Sequence, residues 1–285
     1  MIYKAKKALG QNFLKSQKAL YDIVSAGEIA DDDIILEIGP GKGALTEKLL
    51  EKAGQVIAIE KDAELIKFLK EKFTNEIKTG KLKLILGDIL KISNFEFLIS
   101  KQIPNSKFKG YKLIANIPYY ITGAIFKKFL QEEKMQPERM VLLVQKEVAQ
   151  RIVGKGPSTK LGVNKESILS ISVKAYGQPV YIETVKKRYF SPAPKVDSAI
   201  LLIKNISKKL FTDNQISEEK FFELVKAGFA HKRKVLSSNL KPRLGSEAPK
   251  WLEECEIKEK ARAEDLGLKD WLCLARLAED RPRQG

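Results

Sequence analysis

Between residues 33 and 145 the sequence alternates short apolar runs with amphipathic stretches, and this alternation limits the available folds more than any other feature. Residues 33–38 (DIILEI), 55–60 (QVIAIE), 81–86 (KLKLIL), 112–115 (KLIA) and 139–145 (RMVLLVQ) have the length and composition of strands. Residues 44–52, 62–73 and 122–131 read as helices, the second with Leu65, Ile66, Leu69 and Phe73 at helical spacing. Strands separated by helices cannot pair as hairpins. They predict βαβ crossovers and a largely parallel sheet, so the expected fold class is α/β.

From residue 167 the texture changes. Residues 168–173 (ILSISV) and 196–203 (VDSAILLI) are β-like, with the proline-bearing loop Phe190-Ser191-Pro192-Ala193-Pro194 between them. Beyond Asn205 the pattern turns helical, with Phe221, Phe222, Val225 and Phe229 on one face, and the polar stretch 205–217 makes a boundary. The expected partition is an α/β domain over 1–204 and a small helical domain over 205–285, with the tail 281–285 frayed.

A hydrophobic content of 44% excludes wholesale disorder. No run approaches the eighteen apolar residues of a membrane span, and no apolar core follows the basic start, so neither a span nor a secretory signal is expected. Cys255 and Cys273 lie outside any CxxC pattern; neither a disulfide nor a zinc site is expected, and a reducing cytoplasmic location fits.

The net charge of +16 points to a polyanionic partner. Residues 1–120 hold 20 basic and 15 acidic side chains, residues 121–204 hold 15 and 7, and residues 205–285 hold 17 and 14. The middle stretch thus carries half the surplus, as a surface that neutralises phosphates would require. Charge does not choose between RNA and DNA.

The turn Glu37-Ile38-Gly39-Pro40-Gly41-Lys42-Gly43 follows a strand and opens a helix, and Gly39 and Gly41 let a ligand press against backbone. It lacks the GKS/T ending of a phosphate loop, which disfavours a nucleotide triphosphatase. Glu60 ends the second strand 17 residues after Gly43, where a carboxylate can accept both hydroxyls of a ribose; Asp88 ends the third. A dinucleotide-binding dehydrogenase would share the first two features. It would not explain Asn116-Ile117-Pro118-Tyr119-Tyr120 after the fourth strand. The Asn116 side-chain oxygen and the Pro118 carbonyl suit the N6 hydrogens of adenine, and Tyr119 can stack on the base. Their help would be orientation and electrostatics, with no strong general base.

Several motifs in order carry a resemblance to the ribosomal RNA adenine N6,N6-dimethyltransferase family of the KsgA type. They are Leu9-Gly10-Gln11-Asn12-Phe13-Leu14, residues 37–46 (EIGPGKGALT), Glu60, Gly87-Asp88, residues 116–120 (NIPYY), residues 190–198 (FSPAPKVDS) and residues 221–240 (FFELVKAGFAHKRKVLSSNL). The resemblance implies a class I S-adenosylmethionine-dependent methyltransferase domain, Rossmann-like, with a small helical C-terminal domain. It further implies S-adenosyl-L-methionine as donor, S-adenosylhomocysteine as product, and no metal. Gln11, Asn12 and Leu14 would come from a segment covering the cofactor. Gly39 would lie against its amino-acid part, with Gly41 in the same turn. Glu60 would hold the ribose and Asp88 the adenine amine. Asn116, Pro118 and Tyr119 would hold the target adenine, with Phe190 stacking on its other face.

Phosphate contacts are expected from Lys186, Lys187 and Arg188, and from Lys232, Arg233 and Lys234. His231, the single histidine, is expected to face RNA or serve structure rather than catalyse. The implied partners are small-subunit rRNA and the assembling small ribosomal subunit. One segment departs from the family, which usually has a Tyr-Gly-x-Leu-Ser type sequence where this chain has residues 160–167 (KLGVNKES); this leaves the RNA contacts of loop 154–166 open. Two alternatives share the fold: an erythromycin-resistance type methylase of a large-subunit rRNA adenine, and a non-catalytic RNA-binding assembly factor.

Overall fold

The computed structural model describes residues 5–6, 9–92, 110–154 and 165–280. Most of loop 154–166 and the tail 281–285 lie outside them. Nine strands are formed among the described residues: β1 (Phe13–Leu14), β2 (Ile34–Ile38), β3 (Gln55–Glu60), β4 (Leu82–Leu86), β5 (Lys112–Asn116), β6 (Arg139–Gln145), β7 (Gln178–Val185), β8 (Phe190–Ser191) and β9 (Ser198–Lys204).

Seven of them make one sheet in the order β4-β3-β2-β5-β6-β9-β7, while β1 and β8 pair separately. β4, β3, β2, β5 and β6 are mutually parallel; β9 runs antiparallel to both β6 and β7. The chain steps outward from β2 to β4, then crosses back to lay β5 on the other side of β2. The carboxyl ends of β2 and β5 therefore flank a topological switch point, where open α/β sheets bind ligands.

Local sequence accounts for these elements. β2 is buried along its whole length, which suits a near-continuous apolar run inside a parallel sheet. The helix Ala63–Lys72 is capped by Asp62, whose carboxylate accepts from the Glu64 amide. The apolar core of this region joins Leu20, Ile23, Ile35, Leu49, Val56, Ile114 and Val141 from strands and helices alike.

Residues 168–173 are not a strand. They begin the helix Ile168–Tyr176, fixed by a capping box in which Ser167 and Ser170 satisfy each other's backbone amides. Burial of Ile171, Val173, Ala175 and Tyr176 outweighs the β preference of this branched run. The strand of this region is Gln178–Val185 instead.

By internal contacts the chain divides into two compact units, one from residues 1–149 and 178–206, the other from 150–177 and 207–285. This differs from a partition at 204/205 chiefly by the stretch 150–177. The second unit is helical, and Tyr176, Phe211, Phe221 and Phe222 cluster in its interior with ring centroids 5.1–6.0 Å apart. Its helix Glu218–Gly228 is capped by Ser217, with Glu218 and Glu219 at the positive end of the helix dipole and Lys226 at the other.

The expectation for the cysteines is corrected here. The helices Ala248–Glu254 and Leu268–Asp280 bring Cys255 and Cys273 to a Cα separation of 5.8 Å, and the two are joined as a disulfide. Among the described residues no helix is long and apolar enough to cross a membrane.

Candidate active site

A cleft of about 530 Å³ opens at the carboxyl edge of the parallel strands, entirely within the first unit. β2 delivers Glu37 and the glycine turn to it, β3 delivers Glu60, the turn after β4 delivers Asp88, and β5 delivers Asn116. Residues remote in sequence converge because parallel strands all end on the same side.

The glycine turn leaves room. Gly39 has φ +66°, and a Cβ built there would meet nothing within 4 Å. Gly41 has φ +59°, and a Cβ there would come within 2.9 Å of the Phe13 ring. Both positions require glycine, the first for backbone shape and the second for space as well.

Glu60 is 6% exposed. Its carboxylate accepts from the backbone amides of Gly41 (3.1 Å) and Asp62 (2.9 Å), which fixes its orientation. Burial raises its proton affinity, partly offset by those amides. Asp88 accepts from Lys61 Nζ at 2.9 Å and from the Leu90 amide at 3.1 Å, and the lysine holds its carboxyl below the ordinary range.

One lip of the cleft is the segment from Leu9 to Leu14. Lys6 Nζ reaches Asp62 at 2.9 Å and Glu64 at 3.1 Å. Gln11 accepts from the Lys6 amide at 2.8 Å and donates to Asp62 at 3.3 Å. The Asn12 side chain donates to the Gly10 carbonyl, and the Asn12 carbonyl accepts from Asn116 Nδ2, both at 3.1 Å. Phe13 and Leu14 then pair antiparallel with Ser191 and Phe190. With Nδ2 so engaged, Asn116 keeps Oδ1 as its acceptor.

Beyond Asn116, Pro118 opens a turn of 3₁₀ helix, Tyr119–Ile121, and its carbonyl accepts from the Ile121 amide at 3.2 Å. The Tyr119 hydroxyl lies 2.5 Å from Ser198 Oγ, which fixes the ring, and burial keeps the phenol protonated. Tyr120, 65% exposed, stands beside it on the same wall.

Phe190 is placed differently from the expectation. It is 3% exposed and packs in the core with Leu14, Val185 and Ile200. Side chains alternate along a strand, so where Phe190 turns inward Ser191 turns to the cleft, which Leu14 lines as well. Phe190 anchors the lip through its pairing with Leu14.

Lys186, Lys187 and Arg188 are exposed; Lys186 pairs with Asp197 at 3.2 Å, the Lys187 amide donates to Asp197 at 2.9 Å, and the Arg188 guanidinium sits 5.2 Å from the Tyr189 ring centroid. Lys232, Arg233 and Lys234 are exposed in the second unit, between the helices Glu218–Gly228 and Leu236–Leu244. Among the described residues no group of three or more His, Cys, Asp or Glu is placed to hold a metal ion.

Sequence reasoning passed over Glu37, which is 1% exposed and lines the cleft. The available signal was a carboxylate inside an otherwise apolar strand.

Residues 2–280 match the family model described as ribosomal RNA adenine dimethylase. The chain is 43% identical over 276 residues to a ribosomal RNA small subunit methyltransferase A of Dehalococcoides mccartyi, covering 95% of this chain and 88% of that protein. It is 35% identical over 285 residues to a protein of the same name from Fusobacterium nucleatum, covering 99% and 100%. Among solved structures it resembles the 23S rRNA methyltransferase ErmE (TM-score 0.70, 25% identity, 95% of this chain and 100% of that one). A dimethyladenosine transferase from Plasmodium falciparum is equally similar (TM-score 0.70, 27% identity, 94% and 98%).

Proposed function

The chain belongs to the ribosomal RNA adenine dimethylase family, and from that premise we propose that it transfers methyl groups from S-adenosylmethionine to N6 of two adjacent adenines near the 3′ end of small-subunit rRNA, during assembly of the subunit. The observation that carries this reading is the convergence of Glu60, Asp88 and Asn116 on one cleft at the sheet's switch point.

The cleft's residues fit the donor. Gly39 leaves backbone open to its amino-acid part, the oriented Glu60 carboxylate suits two ribose hydroxyls, and Asp88 suits an adenine amine. When bound, the donor supplies a methyl group activated by its sulfonium. The protein's part is alignment. An adenine N6 lone pair is delocalised into the ring and nucleophilically weak. Asn116 Oδ1 and the second lone pair of the Pro118 carbonyl accept its hydrogens and favour a more tetrahedral nitrogen. Tyr119, held by Ser198, offers a ring face to the base. Lys186, Lys187, Arg188, Lys232, Arg233 and Lys234 supply phosphate contacts that position the RNA without reading its sequence.

Incubation with tritiated S-adenosylmethionine and either undermethylated small subunits or large-subunit rRNA, followed by mapping of the labelled base, tests this. Label on two adjacent small-subunit adenines is expected. Label on a large-subunit adenine would move the chain to the erythromycin-resistance branch, and no label would leave a binding factor.

A further inference from the structure

We infer that Tyr120 forms a second base site at the mouth of the cleft, where its ring stacks on the unpaired RNA base next to the target adenine. This rests on the reading of the cleft as the site of an RNA adenine methyltransferase.

Tyr119 and Tyr120 are consecutive in the 3₁₀ turn Tyr119–Ile121, and both line the cleft. Three residues per turn send neighbouring side chains about 120° apart, so the two rings point in different directions. Tyr119 is tied to Ser198 Oγ through its hydroxyl, whereas Tyr120 is 65% exposed. The exposed ring is nevertheless held. A Cβ built at Gly10 would lie 3.1 Å from Tyr120 Cε1, 3.3 Å from its Cδ1 and 3.4 Å from Pro118 Cβ, so the backbone of the lip runs along one edge of the ring. Gly10 has φ +63°, and a larger residue there would be strained and would press on the ring. One edge packed against backbone, with most of the residue in solvent, makes a stacking platform. The ring is placed in advance, and little side-chain freedom remains to be lost on binding.

The reaction supplies the occupant. The target base enters the cleft, while its ribose and phosphates and the flanking nucleotides stay at the mouth. Extruding the target also strips its neighbour of a stacking partner, which costs free energy. An aromatic ring at the mouth replaces the partner that was lost, in the way single-stranded RNA is held on aromatic side chains elsewhere. Such a stack tolerates every base, because each has a π face. That tolerance suits two adjacent targets. When the strand shifts by one nucleotide between them, a different base comes to the platform, and a stacking site accepts either.

The test is methylation kinetics of the full chain on undermethylated small subunits with tritiated S-adenosylmethionine, for the native protein, Tyr120→Ala and Tyr120→Phe. Tyr120→Ala should lower kcat/KM for the subunit roughly 5- to 150-fold, the worth of one base stacked on an aromatic ring. Tyr120→Phe, which keeps the ring, should restore most of the loss. Donor affinity by calorimetry should be the same in all three proteins, which also shows that they are folded. The dependence of subunit affinity on salt should keep its native slope, since a stack neutralises no phosphate. An equal loss in Y120F, a flattened salt slope in Y120A, or weakened donor binding in Y120A would overturn the inference; the last would move the ring to the donor's side of the cleft. If the native chain labels no small-subunit adenine, the proposed function falls and this inference with it, whereas native labelling with an unchanged kcat/KM in Y120A removes the base site alone.

Discussion

The side-chain amide of Asn116 donates to the backbone carbonyl of Asn12 at 3.1 Å, so the residue proposed to hold the target amine also ties down the lip formed by residues 9–14. Asn116→Ala should therefore have two effects. Methyl transfer in single turnover should fall about 100-fold, as when one oriented polar group is lost from a reacting centre. Donor affinity should weaken by roughly 2- to 10-fold, the worth of one net hydrogen bond of about 0.5–1.5 kcal/mol. An unchanged single-turnover rate would refute the target-base role.

Glu60→Ala should act almost wholly on binding. It removes the proposed acceptor for two ribose hydroxyls and leaves the Gly41 and Asp62 amides without their partner. A charged hydrogen-bonding group of this kind is worth roughly 1.5–3 kcal/mol, so the dissociation constant for S-adenosylmethionine should rise tenfold or more by calorimetry. Unchanged affinity would refute the ribose assignment.

Replacement of Lys232, Arg233 and Lys234 together by Gln should lower subunit affinity and flatten its dependence on salt. Each lost phosphate contact should reduce the log–log slope by roughly 0.7–0.9. A filter-binding series in potassium chloride reads this directly, and an unaltered slope would show that these residues do not face RNA.

The Cys255–Cys273 bond should be visible in unfolding. The cysteines are 18 residues apart, and closing a loop of about that length stabilises by roughly 3 kcal/mol. The chain's two tryptophans, Trp251 and Trp271, are both buried in the helical unit, so their fluorescence follows it alone. Dithiothreitol should shift its urea midpoint downward, and should leave the Cys255→Ser/Cys273→Ser double variant unaffected.

Glu37 should leave a mark on stability in the ligand-free protein. Burial pushes its carboxyl up to about 8 in the folded chain, against 4.5 for an unperturbed group. Between those values the folded chain holds a proton that the unfolded chain has released, so this contribution to stability is largest at low pH and declines as pH rises through the window. Denaturant midpoints from about pH 5 to pH 8 should follow this decline, and Glu37→Gln should flatten it.

Much of the site could be read from the sequence because parallel strands announce where they end. Glu60, Asp88 and Asn116 each close or follow an apolar run, and such residues must meet on one edge of the sheet. What escaped reading depends on contacts between distant segments. The run at 168–173 has strand composition, and only the Ser167–Ser170 cap and burial make it helical. Phe190 was legible as an aromatic beside a proline loop, but its inward face is set by pairing with Leu14. Nothing near either cysteine predicts their pairing, which follows from how two helices pack. Glu37 lay within a motif already noticed, yet the raised proton affinity of its carboxyl comes from burial and from Glu60, neither visible in a string of letters.

The ladder between Phe13–Leu14 and Phe190–Ser191 also has a bearing on the chain's own synthesis. A nascent polypeptide that has emerged only through β6 already possesses the five parallel strands, but the lip at residues 9–14 still lacks the partner that clamps it. The ladder closes only when nearly the last strand of the first unit meets its first strand. Until then the segment hangs on the contacts of residues 6–12 with Asp62 and Asn116, and the ladder is the last of its fastenings to be added.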